Sequence, residues 1–260
     1  MTEVTTLNST SESESGKTPE AKFNLVEHML TIQDGLNVKV NPDWRNANYN
    51  FMDAIMVEGV ELFDHMPWKW WKVHPPISED TLNKMRVEAV DIWHFIMSII
   101  LIYQESMPAE HQSEVFGHVE SMLNREMATP LEGFDENTEE ELKGVTRALV
   151  GYASAPLEHA FYREDIPLWA PLVFLVGNLF HKLGMTLEDV YKLYCGKAVL
   201  NEFRWENGYG STYIKEWFGK EDNDYMVELA SNLPVDGYFT WKLKGLLKDK
   251  YTQVQMGITG

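Results

Sequence analysis

An all-α fold follows from three features of this 260-residue chain. Apolar residues recur at three- and four-residue spacing along several segments. The strict alternation of a half-buried strand is nearly absent, and Gly, Pro and capping residues stand where the helical segments end. No internal repeat overlays the pattern.

Residues 1–20 are rich in Ser, Thr and Glu and lack any aromatic residue, which reads as a disordered tail ahead of a single domain over 21–260. A first helix is expected from about Ala21 to Asp34-Gly35, where glycine suits a terminator. The segment from Asn41 to Asn46 is turn-rich. A second helix runs from about Tyr49 to His65 and is stopped by Pro67. Pro75-Pro76 marks a loop, after which Ser78, Glu79 and Asp80 give an acidic, capped start to a long helix reaching about Tyr103. The middle, 105–165, carries helical periodicity near Glu139–Tyr152 and an acidic loop around Asp135–Asn137, but no motif. Another helix is expected from Pro167 to Leu183, closed by Gly184. Thr186 and Asp189 then cap the start of a helix ending near Asn207-Gly208. Beyond Gly210 the pattern is mixed, with one more helix expected after Asp222.

Composition narrows the function. A hydrophobic share of 44% suits a globular protein with a real core. Forty acidic against 22 basic residues give a net charge of −18, which argues against non-specific duplex binding, where Lys and Arg neutralise phosphates. A nucleotide substrate stays open, because a bound metal reverses the local field. Cys195 stands alone, so no intramolecular disulfide forms, and it has no evident nucleophilic partner. That usage suits a reducing cytosol. The longest apolar stretch, Leu168 to Phe180, holds Pro171 and Gly177 and is too short to span a bilayer. With no cationic, apolar signal segment at the start, a soluble cytoplasmic protein is expected.

Two acidic pairs carry the chemistry. Glu58 and Glu61 share one face of the second helix, on the stripe Phe51, Ala54, Glu58, Glu61 and His65. Glu88 and Asp91 share a face of the long helix, with Lys84, Phe95 and Ser98. The surrounding run, from Val87 to Ile102, is apolar on nearly every side, so this helix is buried. Taken alone, Glu58 and Glu61 could be solvated surface acids. Ionised acids inside an apolar helix are costly without a cation, so four carboxylates facing one cavity point to a hard divalent ion such as Mg²⁺. Asp91-x-x-His94 matches half of a carboxylate-bridged di-iron site, but a second acid-x-x-His motif is missing, which makes His94 a packed residue or one that supports a ligand, rather than a ligand itself.

Two further clusters are ambiguous from spacing. In PWKWWK, Trp68, Trp70 and Trp71 alternate with Lys69 and Lys72. They read either as a core-edge aromatic cluster with snorkelling lysines or as ring faces for a base or sugar. Lys197, Asn201 and Arg204, followed by Tyr209 and Lys215, put cations on one helical face of an acidic protein. Such a stripe is either solvated surface or a phosphate-binding face.

Together, TIQDGLN, EGVELFDHMPWKWWK, RVEAVDIWHFIMS and GKAVLNEFRWENGYGSTYIKEWFGKEDN resemble the dimeric, all-α dUTPases of the MazG-like nucleotide pyrophosphohydrolase superfamily. These pieces spread from about residue 24 to 225. The resemblance implies a multi-helix bundle with a four-carboxylate metal site, and a homodimer acting on a deoxynucleotide in the cytoplasm, or the host's cytoplasm if phage-encoded. It assigns Glu58, Glu61, Glu88 and Asp91 as ligands of two or more Mg²⁺ ions, with Glu58 as proton acceptor. Lys197, Arg204, Tyr209 and Lys215 match phosphate-holding positions. Gln33, Asn37, Trp68, Phe95 and Asn201 match positions around the nucleoside. The implied reaction is dUTP hydrolysis to dUMP and diphosphate. A phage branch with the same metal motifs also hydrolyses dCTP, so dCTPase is the same-class alternative; a di-iron oxidoreductase and a catalytically silent helical protein are the alternatives from other classes.

Overall fold

The computed structural model describes residues 24–129, 131, 133–155 and 167–257. The expected tail, 1–20, and the expected helix start at Ala21 lie outside them. Among the described residues the chain forms nine α-helices, a short 3₁₀ turn and one two-stranded hairpin.

Helix α1 spans Leu25–Val40, with the Asn24 side chain accepting from the Glu27 N–H as its cap. It runs through Gly35 instead of ending there. Gly35 is exposed, and its helix penalty of about 1 kcal/mol is small against burial of Val26, Met29, Leu30 and Gln33. The 3₁₀ turn Trp44–Asn46 leads to α2, Phe51–Asp64, capped by Asn50. Helix α3, Glu79–Ser106, begins at the Ser78 cap and buries residues around most of its circumference. Helix α4, Gln112–Glu126, buries only Val115, Val119 and Leu123. Helix α5, Glu136–Ser154, starts at the Asp135 cap, and α6, Trp169–Lys182, ends before Gly184, which adopts φ +67°. A reciprocal Thr186–Asp189 capping box opens α7, Leu187–Glu206.

The C-terminal region is richer than one helix. Strands β1, Glu216–Trp217, and β2, Lys220–Glu221, pair antiparallel around Phe218 and Gly219, both at positive φ as a two-residue hairpin loop demands. Helices α8, Asp222–Ser231, and α9, Phe239–Gln255, follow. Helix α3 is the central element, in contact with α1, α2, α6 and α7; α5 covers α2, and α8 and α9 pack on α7. No single helix among the described residues is long and apolar enough to cross a membrane.

The α2–α5 contact is tight at Gly59, next to the candidate ligand Glu58. A methyl group there would meet Val150 Cγ2 at 2.7 Å. Gly59→Ala is expected to destabilise the fold by about 1–3 kcal/mol through overpacking. A shift in the chemical-denaturation midpoint checks it, and an unchanged midpoint would mean that α5 yields freely.

Candidate active site

Packing of α2 on α3 brings Glu58, Glu88 and Asp91 together. One carboxylate oxygen from each lies within 4.8 Å of the others, and all three side chains are half-buried. Glu61 is outside this group and exposed, though close enough for its charge to act on Glu58 and Asp91. Few cations offset the cluster. Lys197, from α7, sits 3.0 Å from Asp91, and His65 Nε2 lies 3.3 Å from Glu88. Burial, then the charges of Asp91, Glu61 and Glu88, pushes the Glu58 carboxyl up to about 7. Burial also raises Asp91 against the opposing pull of Lys197, and raises Glu88 against its hydrogen bond with His65. A compact, all-oxygen, over-charged donor set of this kind fits a hard divalent cation.

The sign of the Glu58 shift sets a stability test. Its folded value lies above the ordinary 4.5, so its contribution is fully present below about 4.5 and is lost as pH rises through about 7. In excess chelator, wild-type protein is expected to lose stability relative to Glu58→Gln as pH rises from about 5 to 8. Thermal unfolding across that range checks it; a constant difference between the two proteins would contradict it.

The α7 stripe divides. Lys197 is buried and turned to the carboxylates. Arg204 is also buried and forms a two-pronged ion pair with Asp222 at the start of α8: Nε donates to Oδ2 at 2.8 Å and Nη2 to Oδ1 at 2.6 Å. Asn201 and Asn223 oxygens accept from the same guanidinium, and the Tyr213 hydroxyl donates to Asp222 at 2.7 Å. Tyr209, exposed, places its ring 5.6 Å from the Arg204 guanidinium carbon. Lys215 is exposed and paired with Glu221 at 3.1 Å. A cleft of about 860 Å³ opens beside Glu88 and His65, walled by Lys84 of α3, Lys220 of β2 and Asn223 of α8.

The nucleoside candidates also separate by place. Gln33 and Asn37 of α1 bond to each other and to Ser98 of α3. Phe95 packs on Phe51, ring centroids 6.4 Å apart. Trp68 donates its indole N–H to Asp64 at 2.9 Å, with Lys69 lying 4.8 Å from its ring. Trp70 and Trp71 point outward, so the run is a core-edge cluster at Trp68 and solvent-facing beyond it. His94 stands against Gln33 rather than in the carboxylate group, and burial lowers its pKa to about 3. Sequence reasoning left two participants without roles. His65 was visible on the acidic stripe of α2, whereas Asp222, 18 residues from Arg204, carried no periodic signal.

A family model described as dUTPase matches residues 25–209 of the chain, over two thirds of its length. That span holds the carboxylate cluster, the amide pair on α1 and Lys197, Asn201, Arg204 and Tyr209; Lys215, the hairpin, α8 and α9 lie beyond it. No curated protein sequence matches the chain significantly.

Proposed function

This chain belongs to the all-α dUTPase family, and on that premise we propose that it hydrolyses dUTP to dUMP and diphosphate with Mg²⁺ held at the acidic cluster. The observation that carries the reading is the convergence of Glu58, Glu88 and Asp91 from two packed helices, inside the span matched by the family. Glu58, Glu61, Glu88 and Asp91 would hold two or more Mg²⁺ ions. When bound, these neutralise charge on the phosphate oxygens and lower the pKa of a water for attack.

The chain's own groups do the rest. Glu58 accepts the proton of the attacking water. Lys197 secures Asp91 and adds positive charge next to the cluster. Four of the five Arg204 N–H groups are already engaged, by Asp222 twice and by Asn223 and Asn201 once each, leaving one to aim at phosphate. Such a guanidinium is held still, which favours a fixed contact over a mobile one. Tyr209 and Lys215 hold the outer phosphates from the rim. Gln33, Asn37, Trp68, Phe95 and Asn201 surround the nucleoside. Residues 21–260 act as one MazG-like catalytic domain, assembled as a cytoplasmic homodimer.

Turnover of dUTP, dCTP, dTTP and UTP under identical Mg²⁺ tests the substrate assignment. The specificity constant for dUTP is expected to be the highest of the four. A dCTP constant equal to it or above would make the enzyme a dCTPase of the same mechanism.

A further inference from the structure

Between α1, α3 and α7 lies a buried polar network whose members the hydrolytic step does not use directly. Gln33, His94, Ser98 and Tyr194 are buried, and Asn37 is half-buried beside them. The Ser98 hydroxyl donates to the carbonyl of His94, one turn back, at 3.1 Å. With its only hydrogen spent, Ser98 Oγ acts solely as an acceptor. It accepts from Gln33 Nε2 at 3.3 Å and from Asn37 Nδ2 at 2.9 Å. Gln33 Nε2 also donates to Asn37 Oδ1 at 2.9 Å, which closes a ring of three side chains.

The far end of Gln33 is fixed as firmly. Its Oε1 accepts from His94 Nδ1 at 2.8 Å and from the Tyr194 hydroxyl at 3.1 Å, whose hydrogen is shared with the Met29 carbonyl. His94 is neutral, since burial disfavours its charged form, and the Gln33 oxygen facing Nδ1 selects the tautomer that carries the single N–H there. Its Nε2 makes no hydrogen bond among the described residues, so the contact with Gln33 is its side chain's whole polar role there. Turning either amide over by itself would set oxygen against oxygen, or N–H against N–H, across the Gln33–Asn37 contact and forfeit buried hydrogen bonds.

We propose that this network sets base selectivity: Ser98 and His94 are positioning residues that lock the Asn37 amide in one orientation, matched to uracil and mismatched to cytosine. The inference rests on the reading of Gln33 and Asn37 as nucleoside contacts. After its internal bonds Asn37 keeps one lone pair on Oδ1 and one N–H on Nδ2. Uracil presents an accepting O4 and a donating N3–H, whereas cytosine reverses both with its 4-amino group and bare N3. An asparagine free to rotate serves either base. A locked one serves only one of them.

The test compares kcat/KM for dUTP and dCTP in wild type, Ser98→Ala, His94→Leu and His94→Asn. Asparagine restores a donor near the position of Nδ1, and leucine does not. The dUTP-to-dCTP ratio is expected to shrink by about tenfold or more in Ser98→Ala and His94→Leu and to be retained in His94→Asn. A ratio unchanged in His94→Leu and in folded Ser98→Ala overturns the lock, as does a wild-type ratio near one. Should Ser98→Ala fail to fold, the two His94 variants decide alone. Asn37→Ala separates the two levels of the argument. An unchanged KM for dUTP there removes the nucleoside reading and the lock with it. A raised KM together with unmoved ratios in the other variants removes the lock only.

Discussion

Asp91→Asn is expected to lower diphosphate release from dUTP by about 10²–10³-fold, the loss of several kcal/mol of charge stabilisation. Asparagine keeps the shape of the side chain and an oxygen to accept from Lys197, 3.0 Å away, but it removes one negative charge from the cluster. Packing is then preserved and the loss traces to metal binding. Glu88→Gln is expected to behave alike, because its carboxylate belongs to the same 4.8 Å group. Steady-state kinetics over a range of Mg²⁺, with circular dichroism on the same samples, checks both. Near-normal turnover in either folded variant at limiting Mg²⁺ would remove that residue from the metal site.

The largest stability effect is expected at Asp222. This carboxylate is fully buried, and its partner Arg204 is nearly so. Asp222→Ala strands a guanidinium in the interior and also removes the acceptor of the Tyr213 hydroxyl. Breaking a buried pair from one side costs about 3–5 kcal/mol, chiefly because the remaining charge is left uncompensated. The double variant Arg204→Met/Asp222→Leu removes both charges and is expected to recover most of that loss. Denaturant unfolding of the singles and the double forms the cycle. A single Asp222→Ala variant within about 0.5 kcal/mol of wild type would show that the pair is solvated and does not hold α8 on α7.

What the sequence disclosed follows the reach of each interaction. Caps act within three residues, so Ser78 and Thr186 mark their helix starts in the sequence, whereas Asn50 and Asp135 cap α2 and α5 from just past a turn-rich segment and from an acidic loop. Glu88 and Asp91 were conspicuous because the run around them has no other reason to be charged. Glu61 was harder to place. The same three-residue spacing brings both Glu88 and Asp91 into the cluster, so spacing puts two acids on one face and the packing of α2 on α3 decides which of them meets the neighbouring helix. Helix α4 went unread although Val115, Phe116, Val119, Met122 and Leu123 recur at helical spacing, because the residues between them are polar and no capping side chain marks its start. The hairpin hid because its loop is Phe218-Gly219 rather than Asn-Gly. Neither the Arg204–Asp222 pair nor the network joining Gln33 to Ser98 and His94 is periodic; both depend on helices meeting across the fold.

Metal-dependent dUTP hydrolysis is tested by product formation from dUTP by enzyme stripped of metal with chelator, before and after Mg²⁺ is restored. No turnover is expected in excess EDTA, then equimolar dUMP and diphosphate once Mg²⁺ exceeds the chelator. Sustained release of diphosphate in EDTA, or orthophosphate as the first product, would contradict it.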